Sequence, residues 1–184
     1  IIHLIEKHGL NSLGIMEGMF ALILFDKRAN RIYFARDFVG IKPLYYRISA
    51  GGIEVGSQVR LFDAKTSKIV EVDSPGYILP ATMGGPLFGF CHVEQVYSCK
   101  PGYLYSWTIG EEICELTPIF SLTNLVDEAL KMSNLPSNLL LKEGAHALQE
   151  GVKRVFNHGS KFNFKFSSLL LSGGCDSALI LSAL

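Results

Sequence analysis

The run Leu169-Leu170-Leu171-Ser172-Gly173-Gly174-Cys175-Asp176-Ser177 leaves few architectures open. Its leucines, its paired glycines and the apolar Ala178-Leu179-Ile180-Leu181 beyond them predict a buried strand, a tight turn and a helix start. Such a layout binds phosphate. Glycine lets the backbone approach a ligand closely, and the N–H groups and positive dipole end of the following helix face an anion. Ser172 and Ser177 add hydroxyl donors, and Asp176 can hold a magnesium ion.

No Gly-Lys-Ser/Thr occurs in the chain, so the loop is not that of kinases and GTPases. Ser-Gly-Gly-x-Asp-Ser instead resembles the pyrophosphate loop of ATP pyrophosphatases, enzymes that cleave ATP between its α- and β-phosphates. The resemblance implies that Ser172, Gly173, Gly174, Asp176 and Ser177 cradle the pyrophosphate portion. It also implies that backbone at Leu170 and Leu171 touches the nucleoside, and that ATP and Mg2+ are bound, the metal by Asp176. The plainer reading is an ordinary strand-to-helix turn capped by Ser or Asp. Five matched positions at fixed spacing favour the nucleotide loop.

The chain has 184 residues, begins with Ile1 and stops at Leu184 with its last helix barely begun, so we expect a piece of a longer protein. With 48% hydrophobic residues and zero formal net charge it reads as well-cored and globular, without the basic footprint of a nucleic-acid binder. No apolar run is long enough to span a bilayer, which predicts no membrane partner. Cys91, Cys99, Cys114 and Cys175 form no C-x-x-C pair and read as free thiols of a reducing, cytoplasmic compartment. The five histidines are scattered, and ordinary imidazoles are expected rather than metal ligands.

From the start, Ile1, Leu4, Ile5, Leu10 and Leu13 predict an amphipathic helix stopped by Gly9 and a second short turn. The near-continuous apolar run from Gly18 to Phe25 predicts a central strand buried on both faces. Asp26 to Asn30 supply turn chemistry, and Arg31 to Arg36 returns as a strand.

Ala35-Arg36-Asp37-Phe38-Val39-Gly40-Ile41-Lys42-Pro43-Leu44-Tyr45-Tyr46, with Gly18-Met19-Phe20-Ala21-Leu22 and Phe25-Asp26, resembles the latter half of the glutamine amidohydrolase domain of asparagine synthetases. In that family an ATP-pyrophosphatase domain follows, opening with the loop found here at Ser172. The resemblance implies an α+β fold: part of an α/β/β/α N-terminal-nucleophile sandwich, then the start of an α/β ATP-pyrophosphatase domain. We divide the chain accordingly into residues 1–115 of the amidotransferase domain, a linker over 116–138, and 139–184 as the start of the synthetase domain.

Arg36 and Asp37 are read as a pair that fixes a turn through hydrogen bonds and ion pairing. The family's cysteine nucleophile and its glutamine-holding residues precede the equivalent of Ile1, so no catalytic residue is assigned here. Ser49 to Gly52 reads as a turn and Gly52 to Ser57 as a strand. The spacings Gly51 to Gly56 and Gly84 to Gly89 are read as turn glycines, since no Lys follows. Residues 63 to 96 are the least family-like. Lys100-Pro101-Gly102-Tyr103 resembles the hairpin that closes the amidohydrolase sheet. A short helix is expected over Leu125 to Met132 and a longer one over Leu139 to Asn157, with Leu141, Ala145, Leu148, Val152, Val155 and Phe156 on one face.

The resemblance implies a glutamine- and ATP-dependent ligase making asparagine from aspartate, through a β-aspartyl-AMP intermediate. Its small-molecule partners are then glutamine, aspartate and ATP, and it allows a homodimer for the complete protein. The alternatives are another amide- or β-lactam-forming member of the superfamily and a catalytically silent paralogue. The piece alone is expected to be inactive.

Overall fold

The computed structural model describes residues 1–50, 52–62, 78, 91–112, 114–160 and 169–183. They form two compact units, Ile1–Ser121 and Leu122–Leu184. Both helices and antiparallel sheets are present, as expected of an α+β chain. The first unit begins with α1 (Ile2–His8), which ends at Gly9 with φ of +74°, and continues into a 3-10 helix at Leu10–Ile15. The positive φ is where glycine's missing Cβ matters.

Two antiparallel sheets follow. The first has the order β1-β2-β6-β7, with β1 at Ala21–Asp26, β2 at Arg31–Arg36, β6 at Tyr103–Thr108 and β7 at Glu115–Pro118. The second has the order β4-β3-β5, with β3 at Tyr45–Ser49, β4 at Gly52–Gly56 and β5 at Tyr97–Ser98. The turn between β1 and β2 is built by the Asp26 carboxylate, which accepts the N–H groups of Arg28 at 2.9 Å and Ala29 at 3.1 Å. Asn30 takes a positive φ of 53°, a conformation Asn tolerates better than most residues. These choices fix the register that pairs Ala21 with Arg36 and Asp26 with Arg31.

The inner faces of the sheets meet in an aromatic core. Phe34 stacks on Tyr105 at 4.9 Å between ring centroids and also meets Tyr46 of the second sheet at 5.6 Å. Trp107, Leu44 and Cys99 complete the buried set. Because successive strand residues face opposite ways, Ala35 and Leu104 turn outward. There they pack under Leu13, Ile5 and Leu10 of the first helical layer. The other face of the second sheet buries Tyr45 among Phe62, Cys91 and Val96.

Three expectations change. The strand from the Gly18 run is β1, at the edge of its sheet, and its burial alternates, leaving Ile23 53% and Phe25 49% exposed. The apolar run suggested two covered faces; among the described residues β1 pairs with β2 alone, and every second residue of β1 is left exposed. The Pro101–Gly102 turn is not a hairpin within one sheet. It carries the chain from β5 in the second sheet to β6 in the first, with Gly102 at φ of +70°. Finally, residues 116–118, placed in the linker, continue β7, which pairs Leu116 with Tyr105 and Pro118 with Tyr103. Ile119 packs on the outer core, so the sheet unit runs past residue 115.

The second unit holds α2 (Leu122–Met132), α3 (Ser137–Ser160) and α4 (Cys175–Ala183). Pro136 ends the α2–α3 connection, and its carbonyl accepts the N–H groups of Leu139 and Leu140. The stripe predicted along α3 is present, but Leu141 and Val155 on it are 76% and 75% exposed. Among the described residues, no element covers those two positions. The Gly51–Gly56 and Gly84–Gly89 spacings each include a glycine outside the described residues, as does most of the segment 63–96.

Candidate functional site

The loop singled out in the sequence keeps its turn and helix but not its strand. Residues 169–172 are irregular, with Leu170 92% and Leu171 57% exposed. A strand needs a neighbour to bond its backbone, and the described residues of the second unit contain none. Gly173 then turns the chain at φ of +80°, and a Cβ there would meet nothing within 4 Å, so the turn depends on conformation rather than on space.

Gly174 caps α4. Its carbonyl accepts the N–H of Ala178 at 3.2 Å and the hydroxyl of Ser177 at 3.0 Å. The N–H groups of Cys175, Asp176 and Ser177 therefore precede the first residue that bonds within the helix, and they point out of its positive end. The Ser172 and Ser177 hydroxyls lie 3.3 Å apart across the turn, and Ser172 Oγ also receives the Gly174 N–H at 3.4 Å. Thus the structure brings Ser172, Gly173, Gly174, Asp176 and Ser177 into one exposed turn, while Leu170 and Leu171 extend away as open chain. Hydroxyls, first-turn amides and a glycine at positive φ make an arrangement able to receive an anion.

Asp176 lies in the first turn of α4 and accepts the Cys175 thiol at 3.6 Å. No cluster of three or more His, Cys, Asp or Glu able to hold a metal occurs among the described residues. A divalent cation here would have one protein carboxylate and take its other oxygens from water and phosphate. That donor set suits magnesium, which usually keeps such company.

The first unit supplies a second constellation, at the end of β2. The Asp37 side chain is almost fully buried, and its carboxylate accepts the N–H groups of Ile41 at 2.8 Å, Lys42 at 3.0 Å and Phe20 at 3.3 Å. Burial pushes its pKa upward, but the backbone donors of Lys42, Ile41, Gly40 and Phe20 together outweigh that and hold it below the ordinary value. Arg36 donates from Nη1 to the Cys99 carbonyl at 3.2 Å and from Nη2 to the Gly40 carbonyl. The expected turn-fixing hydrogen bonds are present. The expected ion pair is not: each of the two side chains is engaged by backbone.

Sequence reasoning did not find the role of Tyr105, whose hydroxyl accepts the Lys100 N–H at 2.7 Å just ahead of the Pro101–Gly102 turn. An aromatic in a strand carried no signal of that bond. Cys91, Cys99 and Cys114 are free thiols buried in the core, and burial raises the pKa of each, that of Cys114 to about 12. Protonated thiols are poor nucleophiles. Cys175 is free and exposed.

Residues 1–112 match the family described as glutamine amidotransferase domain. Among curated proteins, the chain is 33% identical to asparagine synthetase (glutamine-hydrolyzing) 2 of Arabidopsis thaliana over 86 residues, which are 46% of this chain and 15% of that protein. It is 49% identical to the asparagine synthetase of Asparagus officinalis over 45 residues, 24% of this chain and 8% of that one. Against asparagine synthetase 2 of Bacillus subtilis the identity is 41% over 46 residues, 25% of this chain and 6% of the relative. The aligned stretches are thus a small part of each relative's length.

Proposed function

Since this chain belongs to the glutamine amidotransferase family, we propose that the complete protein is a glutamine-dependent, ATP-dependent amide-forming ligase of the asparagine synthetase kind. It takes ammonia from glutamine and joins it to the side-chain carboxylate of aspartate. The observation that carries this reading is the order of parts. An amidotransferase match over residues 1–112 is followed by a glycine turn at Ser172–Ser177 feeding the N-terminus of α4.

The chemistry requires an activated carboxylate, because a carboxylate oxygen is a poor leaving group. Transfer of AMP from ATP makes it a good one, and ammonia then displaces AMP. In the proposed site, Ser172 and Ser177 donate to the departing pyrophosphate, Gly173 and Gly174 let the backbone close on it, and the first-turn amides of α4 face its charge. Magnesium, held in part by Asp176, would neutralise phosphate charge. With no lysine in the loop to bridge β- and γ-phosphates, the site is poorly equipped for γ-phosphoryl transfer. The synthetase fold from residue 139, a cytoplasmic location and a homodimer belong to the same proposal. So does the inactivity of residues 1–184 alone, whose three buried thiols are kept protonated by their burial.

The test is a product assay on the complete protein with ATP, magnesium, aspartate and either ammonia or glutamine. AMP and pyrophosphate are expected in equal amounts with asparagine. ADP and phosphate as products would refute the reading.

A further inference from the structure

Arg36 is 7% exposed, and its buried Nε–H has no hydrogen-bond partner. The two other nitrogens of the guanidinium are engaged by the Cys99 and Gly40 carbonyls. The neighbouring carboxylate, Asp37, is taken up by the N–H groups of Phe20, Ile41 and Lys42. A charge this deep whose Nε–H is unmet is costly, since burying an unpaired polar group forfeits its hydration.

Beside the guanidinium lies a small hollow that Arg36 itself lines with Leu13, Met16, Phe20, Phe38 and Phe120. It has room for the centre of a water-sized sphere over about 10 Å³, close to the least that holds one water. A water needs acceptors as well as a donor, and two of the lining residues have carbonyls with capacity to spare. The carbonyls of Leu13 and Phe20 are each engaged by one backbone N–H, from Met16 and Asp37 respectively, and a carbonyl oxygen has a second lone pair.

We propose that this hollow is a built site for a single buried water that accepts from Arg36 Nε and links the end of β2 to the Leu10–Ile15 turn and the start of β1. The water gives the Nε–H an acceptor without a counter-ion. It follows that each nitrogen of the Arg36 guanidinium is met by a carbonyl or a water, and that Asp37 is left to hold the backbone.

A crystal structure of the chain at a resolution that orders water tests this. One peak is expected within hydrogen-bond distance of Arg36 Nε, about 2.9 Å. In solution, magnetisation transfer from long-lived water to the Arg36 Nε–H gives a second readout. A dry hollow, a protein carbonyl bonded to Nε, or a protected Nε–H with no transfer from water would overturn the proposal.

Discussion

Asp37 and Phe20 are bonded to each other twice: the Asp37 N–H donates to the Phe20 carbonyl at 2.9 Å, and the Phe20 N–H donates to Asp37 Oδ2 at 3.3 Å. The reciprocal pair ties the end of β2 to the entry of β1, and the same carboxylate gathers the turn at Ile41 and Lys42. Replacing it by Ala in the complete protein leaves three backbone donors without their acceptor, at on the order of 1–3 kcal/mol each if they stay buried. Asp37→Ala should therefore lower the melting temperature along with glutaminase activity. Turnover lost with an unchanged melting curve would mean the residue acts in chemistry rather than in the fold.

The same carboxyl has a direction in pH. Its folded-state pKa lies below the ordinary value of 3.8, so the stability it contributes is present above pH 4 and is lost as pH falls through the folded-state pKa. Acid unfolding followed by circular dichroism should become shallower below pH 4 in Asp37→Asn. Parallel curves for the two proteins would remove Asp37 from the acid-labile set.

At the alkaline end the sign reverses. Burial raises Tyr105 from 10.0 to about 12 and Cys114 from 9.0 to about 12. A raised folded-state pKa favours the neutral form, so this stability is complete below pH 9 and declines as pH rises towards 12. Tyrosinate absorbance from Tyr105 should appear together with unfolding. Ionisation of all seven tyrosines in a still-folded chain would contradict the burial.

Gly40 and Gly110 both have positive φ, +78° and +96°, but only one is crowded. A Cβ on Gly40 would lie 2.5 Å from Arg36 Nη2 and 2.8 Å from Pro101 Cγ, whereas one on Gly110 meets nothing within 4 Å. Gly110→Ala should cost about 1 kcal/mol from conformation alone. Gly40→Ala should cost clearly more, and denaturant titration of the two variants compares them. Equal losses would show that the guanidinium gives way freely.

Cys175 is the exposed thiol of the four, and it stands in the proposed nucleotide turn. Iodoacetamide should label it in the native protein while Cys91, Cys99 and Cys114 react only on unfolding. In the complete protein, ATP with magnesium should slow that labelling. Asp176→Ala should lower kcat by about a hundredfold with a smaller change in KM for ATP, since charge on the leaving pyrophosphate develops in the transition state. Unprotected labelling together with a mutant as fast as wild type would remove the loop from nucleotide binding.

Features set by neighbouring residues were legible in the sequence. The strand Arg31–Arg36 was predicted with the bounds it has, because turn residues and a β-prone run mark both its ends. Gly9 stops α1 as read, and α3 extends two or three residues beyond its predicted limits. What failed depended on distant partners. The Gly18 run is equally apolar whether it becomes a central or an edge strand, and only its place beside β2 decides. The Pro101–Gly102 dipeptide announces a turn but not which sheets it joins. The bonds of Asp37 to Phe20 and of Arg36 to Cys99 span 17 and 63 residues, beyond any local pattern. In the loop, residue types gave the glycine turn and helix start, while the Leu169–Leu171 strand required a neighbouring strand that the described part of the second unit does not supply.

Phe62 and Cys91 share one buried cluster, so two points far apart in the sequence are held at a common anchor. Ring-closure entropy grows only with the logarithm of what is threaded between two such points, about 0.6 kcal/mol for each doubling of length. The β2–β6 and β3–β5 pairings join strands that lie on either side of the same stretch of sequence. A change in the length of chain between the two anchors therefore costs little in closure entropy.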